Sequence, residues 1–152
     1  MHGGAGDAHT PGSPQVGGEG LSASYPSQPG SVAAIRAAVV DFAARHGACA
    51  ATLDAVRLAV SEAATNVVVH AYRDAPDRGV IELAVSIAGG ELWVIVSDGG
   101  SGLRARRDSP GLGLGLGLIA GVADGIDLVQ RAGGGLELRM RFALDAPGLG
   151  TQ

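Results

Sequence analysis

Asp98 stands just beyond the apolar run Leu92-Trp93-Val94-Ile95-Val96, with Gly99, Gly100 and Gly102 directly after it and Gly111, Gly113, Gly115 and Gly117 alternating with leucine a little further on. An ionised carboxylate only accepts hydrogen bonds, and positions without a Cβ let a ligand approach the main chain closely. One acid followed by two glycine sets therefore suits a backbone wrapped closely on a nucleotide. Upstream, Glu62 and Asn66 are four residues apart in a strongly helical segment and project from one face. An amide oxygen there is able to coordinate a hard cation. Asn is a poor helix-interior residue because its side chain competes for main-chain hydrogen bonds. Holding a cation would account for it.

His70 continues that polar stripe by another step of four and reads as a helix-end or pocket-wall residue; no companion His or Cys beside it suggests zinc. Arg104, Arg106 and Arg107 lie between the glycine sets, where a guanidinium can meet phosphate. All 11 basic residues are arginine. The absence of lysine excludes a Walker-type P-loop and Schiff-base chemistry. Cys49 is the single cysteine, which excludes an intrachain disulfide and fits a reducing compartment. With a net charge of −4 and neither sign clustered heavily enough, no nucleic-acid groove or membrane patch is expected. The sequence shows no signal peptide and no run able to cross a bilayer, so a cytoplasmic location is expected.

The elements that must position these residues follow from the apolar pattern. A length of 152 residues with 46% apolar content fits one domain and one core. Residues 1–20, rich in Gly, Pro and Ser, read as a disordered tail, 21–145 as the domain and 146–152 as a flexible end. Leu21 to Tyr25 alternates as a short edge strand before Pro26. Val32, Ile35, Val39 and Phe42 predict a helix starting after Ser31 and ending at Gly47. Thr52 is the expected cap of a second helix reaching about Tyr72, with Leu53, Val56, Val60, Ala63 and Val67 as its buried stripe. Two hairpins are expected, Val80–Ile87 turning at Gly89-Gly90 into a strand that ends at Asp98, and Ile126–Arg131 turning at Gly133-Gly134-Gly135 into Leu136–Phe142. Leu116, Leu118, Ile119 and Val122 suggest a short helix between them. The inventory is α+β, helices on one side of a mostly antiparallel sheet in a two-layer sandwich.

From about Tyr25 to Phe142 the chain resembles the ATP-binding domains shared by gyrase, Hsp90, histidine kinases and MutL (the GHKL superfamily), and within them the bacterial anti-sigma-factor serine/threonine kinases. The resemblance is carried by Ser61-Glu62-Ala63-Ala64-Thr65-Asn66-Val67-Val68-Val69-His70-Ala71-Tyr72, Asp98-Gly99-Gly100-Ser101-Gly102 and Asp108-Ser109-Pro110-Gly111-Leu112-Gly113-Leu114-Gly115-Leu116. It implies a Bergerat-type, histidine-kinase-like fold, three helices on a mixed, mainly antiparallel sheet, with ATP and Mg²⁺ as its ligands. Asp98 would then accept from the adenine amino group, and Gly100 and Gly102 would admit the purine. Asn66 would hold Mg²⁺, Gly111, Gly113, Gly115 and Gly117 would cover the phosphates, and His70 and Arg104 would complete the ATP-binding set. Glu62 would be the general base. The resemblance further implies partner switching between a sigma factor and an anti-sigma-factor antagonist of the STAS type, and a homodimer. One departure stands out: the last glycine box of that group generally ends in a threonine that helps hold adenine, and Gly133-Gly134-Gly135-Leu136 has none. A non-catalytic anti-sigma or nucleotide-sensing module is therefore the alternative.

Overall fold

The computed structural model describes residues 15–17, 20–71, 79–99, 110–132 and 134–144. Strands β1 (Gln15–Gly17), β2 (Gly20–Pro26), β3 (Val80–Ala88), β4 (Glu91–Asp98), β5 (Gly125–Gln130) and β6 (Leu136–Ala143) form one sheet in the order β1-β2-β3-β4-β6-β5. Every described pairing is antiparallel, so the mixed character implied by the resemblance has no counterpart among these strands. Helices α1 (Pro29–Arg45), α2 (Ala50–Asn66) and α3 (Pro110–Val122) supply the second layer.

Period-two alternation decides which face they cover. Leu21, Ala23 and Tyr25 of β2, Ile81, Leu83 and Val85 of β3, Leu92, Val94 and Val96 of β4, and Leu136, Leu138, Met140 and Phe142 of β6 are all buried. They meet Ile35, Val39 and Phe42 of α1, Val56, Val60 and Ala63 of α2, and Ile119 of α3 in one core. At about 25 cal/mol per Å² of apolar surface, such a layer contact is the main source of stability. The opposite sheet face carries Glu82, Ser97, Glu137 and Arg139 and has no helix on it among the described residues.

Several expected boundaries shift, each for a local reason. β2 is not an edge, because Gln15–Gly17, inside the stretch read as a disordered tail, pair with it. Main-chain hydrogen bonds are indifferent to side chain, so a strand edge can recruit a segment whose composition looks like a tail. α1 begins at Pro29, a residue whose fixed φ and missing N–H suit a first helical turn. Ser31 donates instead to the Pro26 carbonyl at 2.6 Å. Its end agrees better, since Arg45 is the last helical residue and Gly47 follows at φ 88°.

Thr52 lies within α2 rather than capping it; Cys49 occupies the cap position without a side-chain cap bond. The Thr52 hydroxyl is used tertiarily, donating to the Ala143 carbonyl at 3.2 Å. Its contact with Cys49, first through the side chain and then the main chain, lowers the thiol pKa. Leu53 is half-buried, and Thr52 and Ala59 take part in the buried stripe. α2 ends at Asn66 and passes into a π-helical turn, Val67–Ala71. The largest shift is in α3, which starts at Pro110 and so contains Gly111, Gly113, Gly115 and Gly117 as helical residues.

Candidate functional site

α2 crosses the sheet from one end to the other. Its first turn touches Ala143 through Thr52, and the π turn at its far end packs on β4, the strand that terminates in Asp98. Asn66 and Asp98 are thereby brought to the same end of the sandwich. A π turn accommodates an extra residue and is found disproportionately at functional sites; here it begins immediately after Asn66.

Asp98 continues the inward alternation of Leu92, Val94 and Val96, so its carboxylate enters the core side of the sheet, where it is fully buried. Burying a charge is expensive unless it is hydrogen-bonded. The β4–β6 ladder ends at Ser97 and Glu137, one step short of Asp98. The next main-chain donor, Leu136 N–H, turns to the side chain and reaches Asp98 Oδ2 at 3.2 Å. Arg131 at the far side of the same loop donates from Nη1 to the Asp98 carbonyl at 3.2 Å. Gly134 and Gly135 make that loop possible, with φ of 102° and 90°.

Asn66 is 8% exposed and lies against Gly115 of α3. A Cβ built on Gly115 would stand 2.6 Å from Asn66 Nδ2 and 2.9 Å from Oδ1, so glycine is what allows α2 and α3 to approach here. This supplies a second reason for the glycine repeat. Glycine weakens a helix by about 1 kcal/mol per residue relative to alanine, so α3 depends on packing through Gly115 and buried Ile119. Gly111 is one helical turn nearer the start of α3 than Gly115, and Gly113 lies between; Gly117 is exposed with open space beside it. The unpaired N–H groups expected at the second glycine box are therefore those of the first turn of a real helix, while Gly115 and Gly117 lie in its interior.

Glu62 is half-exposed, one α-helical turn before Asn66 and on its face. The structure thus brings Glu62, Asn66 and Gly115 into one neighbourhood of α2 and α3, and Asp98 to the strand end beside the π turn. Gly100, Gly102 and Arg104 lie outside the described residues, as does the His70 side chain, whose backbone belongs to the π turn. Arg131 and Leu136 were not legible as site residues. Both act through contacts to a residue more than thirty positions away, and their signal in the sequence is limited to adjacency to a glycine loop.

The donor set suits a hard cation shared with phosphates: a neutral amide oxygen with a carboxylate one turn away. Among the described residues no group of three or more His, Cys, Asp or Glu forms a protein-only metal cage. Mg²⁺ typically uses one or two protein ligands together with substrate phosphates and waters.

Residues 25–142 match the histidine kinase-like ATPase domain. The chain belongs to that family. Among its relatives is an anti-sigma F factor of Clostridium botulinum (strain Eklund 17B), 30% identical over 117 residues, covering 70% of this chain and 81% of that protein. A serine-protein kinase RsbW of Bacillus cereus (strain AH820) is 29% identical over 130 residues, 76% of this chain and 80% of the kinase. The fold of this histidine kinase-like ATPase domain is also that of a solved chain with RsbU and RsbW domains from Mycobacterium tuberculosis, with a TM-score of 0.66 at 21% identity. That likeness covers 88% of this chain and 34% of the longer solved one. A histidine kinase domain from Erythrobacter litoralis superposes with a TM-score of 0.55 at 25% identity over 79% of this chain and 62% of that chain. No helix among the described residues is long and apolar enough to cross a membrane.

Proposed function

We propose that this protein is an anti-sigma regulatory factor with ATP-dependent serine/threonine kinase activity, sequestering a sigma factor and phosphorylating a STAS-type antagonist in the cytoplasm as a homodimer. The observation that carries the reading is the pairing of Glu62 with buried Asn66 on one turn of α2, in a domain whose relatives are named anti-sigma F factor and serine-protein kinase RsbW. A module that merely bound nucleotide has no need of a carboxylate one turn from its cation ligand.

In this reading Asp98 accepts a hydrogen bond from the adenine amino group of the ATP substrate. Burial strengthens that bond, because a charged acceptor away from water binds a donor more tightly than an exposed one. Asn66 holds Mg²⁺ through its amide oxygen, and the ion supplies charge neutralisation on the phosphates. The first-turn N–H groups of α3, at Gly111 and Gly113, face phosphate oxygens with the positive end of the helix; His70, Gly100, Gly102 and Arg104 complete the binding surface. Glu62 takes the proton from the incoming Ser or Thr hydroxyl, a contribution on the order of 10²- to 10⁴-fold. Positioning and electrostatic stabilisation supply most of the remaining acceleration.

Transfer of radiolabel from the γ-phosphate of ATP to a candidate antagonist, compared between wild type and Glu62→Ala, tests this. Transfer by the wild type, lost in the variant while ATP binding persists, supports the kinase. ATP binding without transfer in the wild type supports the second reading, a non-catalytic nucleotide-sensing anti-sigma module. The residue after Gly135 is what favours that alternative: Leu136 is buried and offers no hydroxyl beside Asp98.

A further inference from the structure

Arg131 leaves the end of β5 and ties three segments together. Its Nη1 donates to Glu82 Oε2 on β3 at 3.2 Å and to the Asp98 carbonyl at the end of β4 at 3.2 Å. Its main chain closes the glycine loop, with Arg131 N–H donating to the Gly135 carbonyl at 3.0 Å and Gly134 N–H to the Arg131 carbonyl at 3.1 Å. Just past the loop, Leu136 N–H holds the Asp98 carboxylate at 3.2 Å. One loop therefore grips Asp98 twice, at its carbonyl and at its side chain.

Arg131 reaches the Asp98 carbonyl from the face of the sheet that the helices leave open. Arg131 and Glu82 line a shallow cavity of about 290 Å³ there, with Ser97 and Glu137, while the Asp98 carboxylate enters the opposite, buried side. The Arg131 and Glu82 side chains are 35% and 46% exposed, so their ion pair adds little to stability by itself. Its consequence is geometric: Glu82 orients a guanidinium whose second N–H fixes the main chain from which Asp98 projects.

We infer that Arg131, oriented by Glu82, is a positioning residue for recognition of the adenine base. It sets the attitude of Asp98 through the main chain from which that side chain projects. The inference rests on the reading that Asp98 receives the adenine amino group.

Binding of MgATP and of magnesium inosine triphosphate, which lacks that amino group, separates positioning from general support. Arg131→Met keeps the aliphatic stem and removes every donor; Arg131→Lys restores a cation. Wild type is expected to prefer ATP, Arg131→Met to weaken ATP about tenfold with little change for inosine triphosphate, and Arg131→Lys to recover most of the ATP affinity. Glu82→Gln should weaken ATP less than Arg131→Met does, because the bond to the Asp98 carbonyl survives. An unchanged ATP affinity in Arg131→Met, or equal losses for both nucleotides, overturns the inference while the wild type's preference for ATP still supports the adenine reading. A wild type that binds neither nucleotide, or does not distinguish them, removes the adenine reading and the inference together.

Discussion

At one end of the sheet β3 turns into β4 through Gly89 and Gly90, with φ of 59° and 75°; at the other, β5 turns into β6 through a loop holding Gly134 and Gly135, at 102° and 90°. Both hairpins use residues that tolerate left-handed backbone. Around the first, the neighbouring β6 and the residue just after it supply the partners: Leu144 N–H donates to the Gly90 carbonyl at 3.1 Å, and Arg141 meets Glu91 in a partly exposed ion pair. A Cβ on Gly89 or Gly90 would meet nothing within 4 Å. Around the second, the loop reaches out to a fully buried carboxylate, and the π turn after Asn66 packs on the same strand. Positive-φ glycine is thus a turn device at both ends and marks no site by itself. A fully buried carboxylate whose partner comes from the other hairpin is what distinguishes the second end.

The largest effects expected at the Asp98 end concern chemistry. Glu62→Gln should lower phosphoryl transfer by about 10²- to 10⁴-fold with ATP affinity little changed, as measured by single-turnover transfer beside equilibrium binding. Parallel losses in both would move Glu62 from catalysis to binding.

Next comes Asp98→Asn, which retains an acceptor for Leu136 N–H but loses the charge. About 1.5–3 kcal/mol for a charged hydrogen bond corresponds to a ten- to hundredfold weaker ATP complex by calorimetry. A variant binding ATP as the wild type does would erase the contrast between the two ends.

Gly115→Ala sharpens the contrast on the helix side. Its Cβ would fall 2.6 Å from Asn66 Nδ2, and the short Asn side chain or α3 has to give way. Overpacking of this kind costs about 1–3 kcal/mol, which the better helix propensity of alanine offsets by about 1. We expect a lower thermal midpoint and a severalfold loss in the Mg²⁺ dependence of ATP binding; Gly117→Ala, facing open space, should instead be neutral or stabilising.

The smallest effects separate the hairpins themselves. Gly89→Ala and Gly134→Ala each force alanine into positive φ, at about 1–2 kcal/mol. Both should lower the midpoint of thermal unfolding, but ATP affinity should fall for Gly134→Ala alone. Equal behaviour would mean that the loop beside Asp98 is no more than a turn.

The antiparallel hairpins, the inward face of β6 and the core stripes of α1 and α2 were legible because a period of two or 3.6 is a local property of the chain. The spacing of four that puts Glu62 and Asn66 on one helix face, and the place of Asp98 at the end of an apolar strand, are local in the same sense. Tertiary structure alone decided that Thr52 spends its hydroxyl on Ala143, that the glycine repeat folds as the start of α3 with Gly115 against Asn66, and that β1 covers the edge of β2. It also decided that Arg131 and Leu136 converge on Asp98. These contacts join segments far apart in the chain, and such pairings depend on how the whole sheet and its helix layer pack together, which no local pattern of residues encodes.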